Sequence, residues 1–259
     1  MVCQCCRTFA AMKIVPLMEG AFSIDQSKRF VPFNLGQDNL QERPVGSLLV
    51  EIQPFVVVTE DDVLLLDTGL GYRTADGILQ IHRNLADAGI SPLDVTKVLM
   101  SHLHKDHAGG IASKDPATGA YMLNFPSAKY YVQGRELAYA LDKGAPSYIP
   151  EEVHPLEGTD RVVLLDADNG NIGPGIRYQV TGGHSPYHQV FWIEEGGETI
   201  FFGGDDAPQL SQMKNRFIAK YDYDGKKCME LRKQWWQEGA EQHWTFLFYH
   251  DVKSSIISL

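Results

Sequence analysis

Ser101-His102-Leu103-His104-Lys105-Asp106-His107-Ala108-Gly109-Gly110 follows directly on the apolar run Val98-Leu99-Met100. Three imidazoles and one carboxylate fall within six residues, just where a strand would deliver its side chains into a crevice. Histidine is the commonest metal ligand near neutral pH, and a carboxylate beside it suits a hard or borderline divalent ion. The stretch predicts a metal site. The rest of the chain must then supply the missing ligands.

The chain has 259 residues, 44% hydrophobic and 22% charged, an ordinary globular composition with material for a large core. Its formal net charge of −10 repels phosphate backbones, so nucleic acid is not an expected partner. Lys226-Lys227 and Arg232-Lys233 read as the solvent face of a helix and make no basic patch. No apolar run is long enough to span a bilayer, and Gln4 and Arg7 interrupt any secretory apolar core, so no membrane partner is expected. Cys3, Cys5, Cys6 and the distant Cys228 do not form a disulfide framework, which points to a reducing, cytoplasmic location. Residues 1–11 read as a flexible extension and 12–259 as one domain.

Outward from the histidine stretch, apolar runs predict strands at Met12–Leu17, Leu48–Val50, Phe55–Val58, Val63–Leu66 and Val95–Met100. The turn Glu60-Asp61-Asp62 makes Phe55–Val58 and Val63–Leu66 a hairpin. Ile78, Ile81 and Leu85 keep helical spacing, stopped by Gly89 and Pro92. Further strands are expected at Lys129–Gln133, Arg161–Leu165, Ile176–Val180, Gln189–Ile193, Thr199–Phe202 and Trp244–Tyr249. Helices are expected around Glu136–Leu141 and along Cys228, Leu231 and Trp235, the latter ending near Gly239. Glu19–Pro44 reads as irregular and Gly144–Gly158 as an inserted surface loop. Two runs of strands, each with helices, suggest two packed sheets with helices outside.

Four further candidates sit at strand ends in the second half. His184 lies in Thr181-Gly182-Gly183-His184-Ser185-Pro186-Tyr187-His188. Asp205 follows Phe201-Phe202-Gly203-Gly204, with Asp206 as its rival, and His250 follows Phe246-Leu247-Phe248-Tyr249. His102, His104, Asp106, His107, His184, Asp205 and His250 are too many for one four-coordinate zinc and suit two ions sharing a carboxylate. His82, His154 and His243 read as a helix-surface, a loop and a helix-exit residue. His188 reads as a group that orients a ligand or contacts substrate.

The order His-x-His-x-Asp-His-x-Gly-Gly, Gly-His-Ser-Pro-x-His, Phe-x-Gly-Asp and a late strand-end histidine resembles the metallo-β-lactamase superfamily, from about Met12 to His250. The Asp67-Thr68-Gly69 turn matches the family's early strand-end motif. The resemblance implies an α+β fold, a four-layer αββα sandwich of two mixed β-sheets flanked by helices. It implies His102, His104 and His184 on one metal, Asp106, His107 and His250 on a second, and Asp205 between them. Residues two apart on an extended backbone share a side, in keeping with His102 and His104 serving one ion. Asp67 is then expected to hold the ligand loop by hydrogen bonds. The cofactors implied are two divalent ions, zinc first, with manganese, iron and cobalt open because all tolerate nitrogen and oxygen.

Within the superfamily, Asp205 argues against the β-lactamases that lack a bridging carboxylate, and His104 against the flavodiiron branch. Only nine residues follow His250, leaving no room there for the helical domain of glyoxalase II, and the acidic charge disfavours the tRNA-processing nucleases. What remains resembles the quorum-quenching lactonases and methyl parathion hydrolase-like members. That resemblance implies a hydroxide bridging two ions, with Asp106 relaying a proton to the leaving oxygen of a lactone or related small ester. Some lactonases carry a tyrosine three residues after the bridging aspartate; here Pro208 stands there, leaving Tyr187, Tyr221 and Tyr223 as substitutes. Other readings on the same residues are a phosphotriester or phosphodiester hydrolase, a mononuclear-iron enzyme resembling persulfide dioxygenases, and a non-catalytic ligand-binding member. A small-molecule substrate is the expected partner; the oligomeric state, a homodimer included, is open.

Overall fold

Val63-Leu64-Leu65-Leu66 is apolar at every position, yet alternate side chains of a strand leave it in opposite directions. Leu64 and Leu66 enter one core with Phe191, Ile193, Ile200 and Phe202, while Leu65 enters another with Ile81, Leu85 and Leu137. A strand buried on both faces is an inner layer. This computed structural model describes residues 12–259. The expected extension at 1–11, with Cys3, Cys5 and Cys6, lies outside the described residues.

One six-stranded sheet runs, edge to edge, Lys13–Pro16, Phe55–Val58, Val63–Leu66, Lys97–Leu99, Lys129–Gln133 and Val162–Leu165. Its first two pairings are antiparallel and the remaining three parallel. The second six-stranded sheet runs Asn169–Asn171, Ile176–Val180, Gln189–Glu195, Glu198–Phe202, Thr245–Leu247 and Ile256–Ser258. Glu198–Phe202 and Thr245–Leu247 form its parallel pair. The helices Gln80–Asp87 and Gly134–Lys143 cover the outer face of the first sheet, through Ile81, Leu85, Leu137 and Ala140. Gly225–Gln242 covers the second, setting Trp235 against Trp192, Phe201 and Phe246. The four-layer αββα sandwich implied by the resemblance is the architecture observed. Among the described residues no helix is long and apolar enough to cross a membrane.

Several expectations need correction. Glu19–Pro44 is not irregular throughout: Gly20–Ile24 and Val31–Pro32 join Leu48–Ile52 in a three-stranded sheet. These strands are short and apolar on one side only, so they carry no long run to read. Gly144–Gly158 is not a surface insertion, because Tyr148, Val153 and Leu156 are buried in the outer core of the first sheet. Pro150, which reads as a loop residue, starts a helical turn at Pro150–Val153, where its fixed φ is pre-organised. Arg232 is not on a solvent face. It is buried on the inner stripe with Cys228 and Trp235, and its guanidinium donates to Asp206 O (2.9 Å) and Phe217 O (2.6 Å).

The last helix does not stop near Gly239. It runs to Gln242 and ends on His243, whose φ of 57° makes a left-handed cap. Gly239 serves packing: a Cβ there would lie 2.4 Å from the Phe246 ring. Alanine in a helix interior is favoured over glycine by about 1 kcal/mol, whereas overfilling a packed core costs about 1–3 kcal/mol. Packing should win. Gly239→Ala should therefore lower the urea unfolding midpoint, and a raised midpoint would show that the ring yields freely.

Candidate metal centre

Strands Val63–Leu66 and Lys97–Leu99 are parallel, with Leu66 opposite Leu99. Asp67 and Ser101 therefore leave the sheet side by side. Asp67 takes a left-handed backbone (φ 57°), which aspartate tolerates better than most residues. Its Oδ1 accepts from Ser101 N (2.7 Å), and its Oδ2 accepts from Ser101 Oγ (2.6 Å) and lies 2.7 Å from His107 Nδ1. One helical turn, Lys105–Ala108, then brings Asp106 and His107 back towards the sheet edge. The following glycines lie against the turn after Asp67: a Cβ on Gly110 would sit 2.0 Å from Thr68 O. Backbone meets backbone here, and no side chain fits.

His184, Asp205 and His250 arrive from the second sheet, after Ile176–Val180, Glu198–Phe202 and Thr245–Leu247. The structure brings all seven expected ligand residues together. The ligand atoms of His102, His104, His184 and Asp205 lie within 4.8 Å of one another, as do those of Asp106, His107 and His250. His104 Nδ1 is 2.9 Å from His102 Nε2 and 3.0 Å from His184 Nε2. Asp205 touches both groups. Its Oδ2 is 3.2 Å from His184 Nε2, while its Oδ1 is 3.0 Å from His250 Nε2 and 3.1 Å from His107 Nε2. Asp106 Oδ2 is 3.4 Å from His250 Nε2 and 3.7 Å from His107 Nε2.

Four of the five imidazoles are fixed through the nitrogen that faces away. His102 Nδ1 meets Ser101 Oγ (3.1 Å), His107 Nδ1 meets Asp67, His184 Nδ1 meets Asp222 Oδ1 (2.8 Å), and His250 Nδ1 donates to Glu51 O (2.8 Å). Such partners set the tautomer and leave Nε2 with a lone pair aimed inward. A third possible grouping, Asp67 with His102 and His107, is accounted for by these hydrogen bonds. His107 Nε2 and Asp205 Oδ1 are buried and make no well-formed hydrogen bond despite their 3.1 Å separation. Nitrogen and carboxylate ligand atoms that converge, held from behind and, at His107 Nε2 and Asp205 Oδ1, unsatisfied in front, fit divalent metal binding.

The charges point the same way. Burial and the neighbouring His107 and His104 rings hold His102 well below the usual imidazole range. Burial and His184 do the same for His104, so both are neutral donors. Burial opposes charge on His107, His184 and His250 and is the largest single effect, but Asp205 together with Asp106 and Asp67 at His107, Asp222 and Asp206 at His184, and Asp106 at His250 overrides it and raises all three. Asp205 in turn is held well below its ordinary value: burial works against its charge, and His250, His107 and His184 override that. Protons on those rings do for Asp205 what cations would do. Metal binding must displace them, so affinity falls with acidity.

Asp206 stands apart from both groups. Its Oδ1 accepts from His184 N (2.6 Å), and its Oδ2 lies 3.2 Å from His188 Nδ1. His188 Nε2 accepts from Asp205 N at 3.1 Å, so both its nitrogens face the protein. His82 is half-buried on Asn124 O (3.0 Å), His154 is exposed beside Glu157, and neither approaches the site. Sequence reasoning missed Asp222, a lone acid between two tyrosines with no spacing signal. It also missed Glu136, buried on the Gly134–Lys143 helix. Glu136 accepts from Ser185 Oγ (2.9 Å), Tyr148 OH (3.2 Å) and Leu103 N (3.3 Å), joining the loops of His184 and His102. Tyr249 stacks on His107 at 4.0 Å and donates to Asp106 O.

The centre opens into a cavity of about 620 Å³ with largely apolar walls, among them Ile24, Leu48, Val50 and Phe217. Pro208 and Tyr221 line it; Tyr187 packs on Tyr139 instead, and Tyr223 is exposed.

An αββα sandwich with two histidine–carboxylate groups at one sheet edge defines a class of metal-binding proteins. The chain belongs to the metallo-beta-lactamase superfamily, whose family model matches residues 51–234. An N-acyl homoserine lactonase of Bacillus cereus is 28% identical over 90% of this chain and 91% of its own length. A probable metal-dependent hydrolase from Staphylococcus aureus superposes with a TM-score of 0.77 at 23% identity, over 96% of this chain and 93% of that one. AidC, a dizinc quorum-quenching lactonase in complex with a product, superposes at 0.68 and 19% identity, over 96% and 90%.

Removing a carboxylate that orients a metal-ligating histidine costs about 10–100-fold in metal affinity. Asp222→Ala should show a loss of that order in competition with a chelator. Unchanged affinity would mean that His184 needs no support from behind.

Proposed function

We propose that the chain is a dinuclear metal-dependent hydrolase acting on a lactone or a related small ester. The observation that carries this reading is Asp205, whose two oxygens reach different imidazole groups, Oδ2 at His184 and Oδ1 at His107 and His250. In this reading His102, His104 and His184 hold one ion, Asp106, His107 and His250 the other, and Asp205 is shared. Bound there, two divalent ions, zinc by first expectation, would supply a nucleophile from water at neutral pH and a Lewis acid for the carbonyl oxygen.

The chain's own residues do the rest. Asp67, Asp222 and the Glu51 carbonyl keep the rings in register, so that no reorganisation is needed when charge develops. The apolar wall receives the organic body of the substrate and excludes water from it. Asp106 borders the cavity and is only partly committed to His107 and His250, at 3.7 and 3.4 Å. We assign it the relay of a proton to the leaving oxygen. The lactonase relative supports a lactone as substrate; the prolyl ring of Pro208 on the cavity wall means that the reaction here proceeds without a phenol at that position.

The test is a panel with metal replenished: acyl-homoserine lactones, aryl esters, phosphotriesters, phosphodiesters and a glutathione thioester. Lactone or ester turnover should dominate, vanish with chelator and return with added metal. Asp205→Asn should reduce it to background and weaken at least one metal. Full activity in that variant, or turnover of phosphoesters alone, would contradict the reading.

A further inference from the structure

The cavity wall bears a cation that the hydrolytic reading leaves unused. Lys28 lines the cavity beside His104 and Tyr221 and is half-buried. Its backbone is left-handed (φ 59°), a conformation that lysine rarely adopts. The neighbourhood holds it there. Lys28 N donates to Asp25 O at 3.0 Å, Lys28 O accepts from Lys105 Nζ at 2.6 Å, and the ammonium sits 5.5 Å from the centre of the Tyr221 ring.

Among the described residues no carboxylate lies within 4.0 Å of Lys28; the lysine and arginine ion pairs all lie elsewhere. The acid nearest in sequence, Asp25, has its Oδ1 engaged by Ser27 N (2.9 Å) and Ser27 Oγ (2.6 Å). On a chain of net charge −10, Lys28, Lys105 and Lys220 gather on the wall of this one cavity, and Lys28 is the one set beside His104 and Tyr221. It adds positive charge beside a centre suited to cations, which attracts an anionic group on a molecule entering the cavity.

We propose that Lys28 anchors an anionic group of the substrate, so that the ester or lactone hydrolysed here is amphiphilic. Its reactive carbonyl lies at the centre, its apolar body along Ile24, Leu48 and Phe217, and a carboxylate or similar singly charged anion at Lys28. This rests on the hydrolase reading for the reaction but not for the anion site itself.

Two measurements separate them. In the metal-loaded enzyme, kcat/KM is compared for 4-nitrophenyl hexanoate and mono-4-nitrophenyl adipate, which differ by a terminal carboxylate. Lys28→Met should shift their ratio against the adipate by about tenfold or more, ~1.4 kcal/mol, and Lys28→Arg should restore much of it. Independently, calorimetry with hexane-1-sulfonate, a weak metal ligand, should show a similar loss of affinity in Lys28→Met. An unchanged ratio with unchanged sulfonate affinity overturns the anion site. Weakened sulfonate binding in a protein that cleaves neither ester would uphold the anion site and sink the hydrolase reading.

Discussion

A carboxylate buried among imidazoles is the constraint on which the rest of this molecule depends. Asp205 is 9% exposed and has His184 on one oxygen and His107 and His250 on the other. Burying such charge is tolerable only when it is paired. Protonated rings can pair it, and so can divalent ions. The surrounding hydrogen bonds favour the second, because Asp67, Asp222 and Glu51 O fix the outer nitrogens and turn the inner ones towards a common space.

The sandwich exists, in functional terms, to hold those groups rigid. Both sheets send parallel strands to the same edge: Val63–Leu66 with Lys97–Leu99, and Glu198–Phe202 with Thr245–Leu247. Every expected ligand follows one of these strands or the turn after Ile176–Val180. The elements behind the edge are as specialised as those in front. Arg232 of the last helix holds the carbonyl of Asp206, whose carboxylate accepts from His184 N, and Glu136 ties two ligand loops together. A lesion some distance from the centre therefore acts on ligand geometry.

The cluster of candidate ligands was legible because its chemistry is dense and local. Four ligand-type side chains in six residues, and three more at strand ends, converge on one chemistry, the holding of metal ions. The inner strands of both sheets were legible for the same reason that they are buried: Val63–Leu66 and Phe246–Tyr249 are apolar runs with clear ends, whereas the edge strands Asn169–Asn171 and Ile256–Ser258, more exposed, were not. The supporting groups were not. Asp222 and Glu136 are single acids whose importance is entirely tertiary, and Arg232 looks like one member of a charged helix face until the helix is seen from inside. The strands at Gly20–Ile24 and Val31–Pro32 carry no clear signal because one side of each is polar or exposed. The segment 144–158 reads as a loop because proline and glycine mark helix starts as well as turns.

The claim at the centre is that one carboxylate is shared by two ions. Titrating metal-free protein with cobalt(II), and following the visible absorption and the bound metal together, tests it most directly. The account predicts saturation at two ions per chain. Saturation at a single ion, with Asp106 and His250 dispensable for its binding, would contradict it.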